Sequence, residues 1–393
     1  MHILFTTDDD SKYGASNSLL QLVNQLKQIN TAVHISVVLT EKSNLVRDFE
    51  KVGCNVYKIP YISFYQGISI KKWKFPIKYI IRGVQYWYGR LFAVSRLEKM
   101  LDVHTVNLIH SNSSREDLGA MLSNKYSIPL IWHIREFGDL DYPCYSYRNN
   151  YIKLMNESAT KFIAISQAVM KHWINKGIDS KKIVQIYNGV NVNNKIKKEY
   201  PKQSDVLRFI MMGSLNETKG QHHVIKAIAL LNDELRKKIQ VDIVGDGSIT
   251  YTNILKNLIK TNGLYEQIHL LGYKKEFYNN LNEYDCGLMC SRCEGFGRVT
   301  AEYMMAGLPV IASDTGANPE IVKDHINGLL YRYNDDLDLA NKICYFINNV
   351  YLIEEMGKKS YDIALKSYTA YANAVRVFQE YNNILHFEIE KGT

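Results

Sequence analysis

The chain has 393 residues, a formal net charge of +8, and a composition that is 46% hydrophobic and 22% charged. That length supports two domains, each with a full core, and no apolar run approaches the ~20 residues needed to span a bilayer. Met1 to Thr7 lacks the charged and apolar regions of a signal peptide, so the sequence predicts an ordinary soluble, cytoplasmic protein. The six cysteines, at 54, 144, 286, 290, 293 and 344, are then expected to be free thiols.

Apolar runs alternating with helical patterns predict strands at His2–Thr7, Val33–Thr40, Asn55–Ile59, Asn107–Ser111, Pro129–Ile134, Lys161–Ser166 and Ile183–Tyr187. Helices are predicted between them, for example over Ser16–Gln28 and Asp117–Tyr126. The loop after the first strand holds Asp8, Asp9 and Asp10. Three adjacent acids suggest a divalent metal, but an exposed acidic turn is the reading taken. Residues 58–99 carry nine cations against one acid, Glu98, interleaved with ten aromatic rings. Such a segment suits either an anionic membrane surface or a solvated helix with a tyrosine-rich core side; nucleic acid is not expected. The pattern restarts after Asn188-Gly189-Val190-Asn191, where a lysine- and asparagine-rich stretch ending in Tyr200-Pro201 predicts a linker. Strands are then predicted at Arg208–Gly213, Gln240–Val244, Gln267–Leu271, Asp285–Cys290, Val310–Ser313 and Gly328–Tyr331, with a helix over Gly220–Leu231 among others. A β-α-β-α order implies parallel sheets covered by helices on both faces.

The most informative stretch is Glu294-Gly295-Phe296-Gly297-Arg298-Val299-Thr300-Ala301-Glu302, followed by Met304-Met305-Ala306-Gly307-Leu308-Pro309-Val310-Ile311-Ala312-Ser313-Asp314. It sets two carboxylates eight positions apart across a glycine turn between a strand and a helix. Unpaired N–H groups and the helix dipole converge there, which makes an anion site. A carboxylate beside a bound phosphate must be accepting hydroxyl protons, since a second anion would repel it. A sugar on one side of a diphosphate and a ribose on the other fit that chemistry. Two glutamates alone would sooner suit a solvent-facing helix.

This string resembles the retaining glycosyltransferases of family 4, with their E-x7-E pattern. The resemblance implies the GT-B architecture: an α/β fold of two doubly wound, Rossmann-like domains facing a cleft. Its expected division is an acceptor domain over 1–190, a linker over 191–205, a nucleotide-sugar domain over 206–359, and a C-terminal helix over 360–393 crossing back to the first domain. It also implies that Glu294 holds the donor sugar and Glu302 the ribose, with Gly295, Phe296, Gly297, Arg298 and Val299 around the phosphates. Gly213-Ser214-Leu215-Asn216-Glu217-Thr218-Lys219-Gly220 is similar to the family's phosphate-clamping loop. Lys219 matches, whereas Ser214 stands where the family has an arginine, and Arg298 is the candidate to compensate. Gly272 and Tyr273 match the turn beside the base, and Gly14-Ala15 the small-residue turn of the first domain. Asn188-Gly189, Gly245-Asp246-Gly247 and Gly316-Ala317-Asn318-Pro319-Glu320 match further turns, with Glu320 expected to cap a helix.

His133 matches a strand-end histidine that reaches the donor sugar; Arg135 and Glu136 either pair with each other or line an acceptor pocket. The catalytic set so implied is Glu294, His133 and Lys219. The resemblance implies a nucleotide-sugar, a UDP-sugar above all, as substrate rather than cofactor. It calls for no metal, because cations and helix dipoles manage the leaving group. The acceptor expected is a glycan or lipid-linked glycan of bacterial capsule, exopolysaccharide or cell-wall polymer synthesis, met at the inner face of the plasma membrane. Other classes considered are a nucleotide-sugar epimerase and a non-catalytic sugar-nucleotide binder. Cys290 and Cys293 form a C-x-x-C without a second ligand pair, and His222 and His223, adjacent on a helix, are expected to point apart.

Overall fold

The computed structural model describes residues 1–8, 14–67, 75–141, 144–191, 206–275 and 277–391. Contacts divide the chain into two units, Met1–Gly189 with Ala370–Thr393, and Val190–Thr369. Each is built on a parallel sheet, and the two-sheet α/β expectation holds. Asp9, Asp10 and residues 68–74 and 192–205 lie outside the described residues, and with them part of the basic segment and most of the expected linker. Of the acidic run only Asp8 is described, and its side chain is nearly buried against Arg115 rather than exposed.

In the first unit seven strands lie in the order Asn55–Ile59, His34–Thr40, His2–Thr6, Leu108–Ser111, Leu130–Ile134, Lys161–Ala164, Ile183–Gln185. Every pairing is parallel. Leu108–Ser111 and Leu130–Ile134 are buried at every position, because helices cover both faces and no side needs to be polar. Ile3, Phe5, Leu19, Val23 and Leu26 share this core with Ala374, Val377, Tyr381 and Ile384 of the last helix, Ala370–Lys391.

The second unit has six parallel strands in the order Ile268–Gly272, Ile239–Val244, Leu207–Met212, Cys286–Met289, Val310–Ser313, Gly328–Tyr331. Its strand order reverses between Leu207–Met212 and Cys286–Met289, and crevices at such switch points are where open α/β sheets bind ligands. The boundary expected between 359 and 360 falls inside the helix Tyr351–Ser367; the division lies instead between Thr369 and Ala370. Ser360 explains this, being wholly buried and donating to the Asn327 carbonyl at 2.8 Å, which ties the helix to the second unit.

Two three-residue strands, Tyr65–Gly67 and Cys144–Ser146, pair antiparallel, and neither is long enough to register as a periodic pattern. No described helix is long and apolar enough to cross a membrane.

Glu116, buried beside the switch point of the first sheet, accepts from Thr6 Oγ1 at 2.5 Å, Tyr61 Oη at 3.0 Å and the Leu118 N–H at 2.9 Å. Burial outweighs these bonds and raises its carboxyl to about 7. The folded state therefore holds a proton that the unfolded state releases near pH 4.5. Stability from this group is present below that pH and lost as pH rises toward 7, at up to about 1.4 kcal/mol per pH unit. Urea titrations at several pH values should show that slope in the wild type and a flatter one in Glu116→Gln.

Candidate functional site

At the switch point of the second sheet, strand-end loops converge and brace one another. The Gly213 N–H donates to the Val244 carbonyl at 2.9 Å, and Leu215 to Asp246 at 2.8 Å. Gly245 donates to Gly272 at 3.0 Å, so the Gly272-Tyr273 turn adjoins both loops. Arg292 donates to Thr218 at 2.8 Å, joining the 213–220 loop to the segment that follows Cys286–Met289.

This bracing brings Lys219 and Glu294, 75 positions apart, into a bond of 2.5 Å between Nζ and Oε1. Glu294 is nearly buried, whereas a third of the lysine side chain meets water. A carboxylate held on an ammonium is a ready-made polar contact for a ligand carrying both hydroxyls and phosphates, each partner offering the opposite chemistry. Ser214 is exposed and bonds Asn216 Nδ2 through its hydroxyl at 3.0 Å. Asn216 also caps the short turn Glu217–Lys219, accepting from the Lys219 N–H at 3.1 Å.

The helix Arg298–Met305 begins after Gly297, which has φ 76° and offers no side-chain cap. A left-handed cap of this kind suits glycine and leaves the first turn uncapped by any side chain, the condition for anion binding there. Phe296 is buried, its ring 5.7 Å from that of Tyr368; Gly295 and Val299 are half-buried. Arg298 Nε bonds Glu302 Oε1 at 2.9 Å. Glu302 is thus paired one turn along its own helix, while burial raises its carboxyl and Arg298 opposes the rise. The backbone of Glu294 is clamped by the turn at Gly316, whose φ is 59°. A Cβ there would lie 2.6 Å from both N and O of Glu294, and the Ala317 N–H donates to that carbonyl at 2.8 Å.

Polar residues that sequence reasoning passed over sit beside this helix start. Asn318 Nδ2 bonds Ser313 Oγ at 2.9 Å, and Ser313 Oγ donates to the Ser291 carbonyl at 2.7 Å. The other amide atom, Asn318 Oδ1, and the hydroxyl of Thr300 are buried without a hydrogen-bond partner among the described residues. A Cβ on Gly297 would lie 3.1 Å from Thr300 Oγ1 and 3.6 Å from Asn318 Oδ1, so both orphaned atoms border the uncapped turn. The signal for them was present, since both lie inside quoted motifs, but no spacing rule marks a side chain that lacks a partner. Glu320 is not a cap: the short helix Asn318–Ile321 has Ala317 as its N-cap and Glu320 in its first turn.

In the first unit Gly14 is the N-cap and Ala15 the first residue of the helix Ala15–Ile29. His133 is fully buried in Leu130–Ile134. Its Nδ1 lies 3.4 Å from Arg135 Nη2, a group that only donates, and 3.1 Å from His110 Nε2. His133 Nδ1 therefore accepts, His110 donates from Nε2, and His110 Nδ1 accepts from Tyr381 Oη at 2.7 Å. Burial, then the Arg135 charge, pushes both imidazoles well below 6.5. His133 is left neutral with its proton on Nε2, a buried atom without a partner among the described residues. Arg135 and Glu136 each have partners on other residues. Arg135 bonds Asn112 and Asn188 at 2.6 Å each, and Glu136 accepts from Ser113 and Ser114.

His222 and His223 do not point apart: their rings lie 4.1 Å from each other. Successive helical residues diverge by only ~100°, and each ring turns to a partner, Tyr251 at 2.8 Å and Asp336 at 2.6 Å. All six cysteines are free, and no group of three metal-ligating residues occurs among the described residues.

Comparison with known proteins bears on the family and the fold. Residues 13–194 match the model described as Glycosyltransferase Family 4, and residues 192–362 that described as Glycosyl transferases group 1. An uncharacterized glycosyltransferase of Methanocaldococcus jannaschii, MJ1178, is 29% identical over 349 residues, covering 88% of each chain. The capsular polysaccharide biosynthesis glycosyltransferase CapH of Staphylococcus aureus is 23% identical over 318 residues, 79% of this chain and 81% of its own. Among solved structures, Anabaena HepE in complex with UDP superposes with a TM-score of 0.80 at 22% identity, covering 98% of this chain and 100% of that one. The same protein with UDP-glucose gives a TM-score of 0.73 at 21% identity, with the same coverage.

Proposed function

We propose a reaction from one premise: this chain belongs to glycosyltransferase family 4, of the GT-B type. It moves a hexose from a UDP-sugar, with retention at the anomeric carbon, to a glycan or lipid-linked glycan in bacterial capsule, exopolysaccharide or cell-wall polymer synthesis. The acceptor is met in the cytoplasm, at the inner face of the membrane. The observation that carries the reading is the Lys219–Glu294 pair at the switch point, beside a helix start capped only by glycine. UDP and UDP-glucose in the HepE structures favour the donor, and the capsular role in CapH's name favours the acceptor class.

In this reaction the diphosphate approaches the amides of Gly297–Val299, and Lys219 turns from Glu294 to its oxygens. Glu294, relieved of that charge, accepts from sugar hydroxyls, and Glu302 does the same for the ribose. Arg298, beside Glu302, supplies the cation missing at Ser214. His133, neutral with its proton on the unpartnered Nε2, has the donor that a sugar hydroxyl needs. The departing diphosphate takes the acceptor proton on the face it leaves, so the reading includes no separate base, metal or cofactor.

A thermal-shift panel of UDP-, GDP- and ADP-sugars tests the donor: UDP-sugars alone should raise the melting temperature by several degrees, as ligand at ~100 times its Kd adds about 2.7 kcal/mol. The anomer of the product, read by NMR, tests retention. Conversion of a nucleotide sugar without acceptor into its epimer would sink the proposal.

A further inference from the structure

The helix Phe75–Glu98 presents two apolar faces, and the core uses only one. Inward, Tyr86, Ala93, Val94 and Leu97 are buried. Tyr86 Oη and Arg90 Nη1 fix that face to Asp117 at 2.7 and 3.1 Å, with Arg148 on the same carboxylate at 2.8 Å. Outward, Ile77, Ile80, Ile81, Val84, Tyr88 and Leu91 follow i, i+3, i+4, i+7 spacing and are 52% to 73% exposed. An exposed apolar stripe of about four turns is an interaction surface rather than scatter.

What flanks the stripe selects its occupant. On one side Arg82, Gln85, Gly89 and Arg96 form a wall of a cavity of about 800 Å³, closed from other elements by Lys42, Tyr61 and Arg115 among others. Four cations, Lys42, Arg82, Arg96 and Arg115, face two acids there, Asp8 and Glu41, and Arg115 pairs with Asp8 at 3.5 Å. On the other side Tyr79, Ile80, Val84, Trp87 and Leu91 line an apolar groove of about 520 Å³. The helix carries no acid before Glu98, and Glu98 is already bonded to Lys125 and Tyr126. A second copy docking symmetrically would bring these cations against themselves, whereas lipid phosphates complement them.

We infer that Phe75–Glu98 docks the chain on an anionic bilayer, its outer stripe entering the lipid interface and the adjoining cationic cavity receiving a lipid phosphate head group. Isoleucine, valine and leucine supply apolar burial, Trp87 and Tyr88 sit at the head-group level, and the groove accommodates hydrocarbon chain. The assignment deepens the acceptor half of the proposed function and rests on it.

The full chain should sediment with vesicles of phosphatidylcholine and phosphatidylglycerol at low salt, and at least tenfold less with phosphatidylcholine alone or at high salt. Ile80→Asp/Leu91→Asp should lose about tenfold or more in that binding, with its UDP-induced thermal shift unchanged. Lys42→Glu/Arg96→Glu should lose the preference for the anionic vesicles. Three results would overturn the assignment: a wild-type chain left in the supernatant, equal binding to both vesicles, or a wild-type dimer that Ile80→Asp/Leu91→Asp turns into a monomer. Preference unchanged in Lys42→Glu/Arg96→Glu removes the head-group site. A chain that ignores vesicles but responds to UDP sinks this inference and spares the transfer reading; one that binds vesicles and ignores every nucleotide sinks the transfer reading instead.

Discussion

Lys219→Met is expected to lower turnover of a UDP-sugar by about 10²–10³-fold, the cost of removing one pre-placed group from a developing oxyanion. The loss should sit at the upper end because the loop offers no second cation: Ser214 is neutral and bonded to Asn216. Arg298 must give up its 2.9 Å bond to Glu302 to reach the phosphates, so it makes up for Lys219 only in part. Stability should respond differently from activity. Removing the ammonium leaves Glu294 nearly buried without its partner, which is costly, so Lys219→Met should melt below the wild type. Lys219→Met/Glu294→Gln removes both charges and should recover most of that melting temperature while turnover stays lost. A double variant that recovered turnover along with stability would make the pair structural. The measurements are kcat at saturating donor and calorimetric melting for the wild type and both variants.

Sequence patterns made the sheets legible because strands buried on both faces read as uninterrupted apolar runs. Val310–Ser313 and Gly328–Tyr331 match their expected limits residue for residue, and so does the edge strand Asn55–Ile59, although most of it is exposed or half-buried. The motif from Glu294 to Glu302 also falls where expected, in a turn that opens a helix. What the pattern does not encode is partnership. Glu294 and Glu302 read alike as two acids across a turn, yet one is held by a lysine from another loop and the other by an arginine on its own helix. The Tyr381–His110–His133 chain joins residues up to 271 positions apart, and it exists because the last helix packs into the first core. The basic aromatic segment had two readings, a membrane surface or a solvated face over a tyrosine-rich core. Only the bonds to Asp117 decide which side of Phe75–Glu98 faces inward. The short helix at Asn318 shows the same limit: Glu320 has the right chemistry for a cap and the wrong position.

Gly316→Ala should be as damaging to turnover as removal of a catalytic side chain, although Gly316 carries no chemistry. Its φ of 59° costs an L-residue roughly 1–2 kcal/mol, and the added methyl would sit 2.6 Å from both N and O of Glu294. Backbone cannot give way as a side-chain tip does, so the turn must move away from Glu294. That movement breaks the 2.8 Å bond from the Ala317 N–H to the Glu294 carbonyl and shifts the carboxylate relative to Lys219. A displacement near 1 Å at such a residue costs on the order of 10²-fold in rate. Binding of UDP should change far less, because the Gly272-Tyr273 turn and the 213–220 loop are both braced through the loop at 244–246 rather than to Gly316. The expected signature is therefore a fall of about 10²-fold in kcat, a melting temperature lowered by a few degrees, and a UDP thermal shift close to wild type. Equal loss of UDP response and turnover would mean that the loops move as one body. Unchanged turnover would detach Glu294 from the reaction.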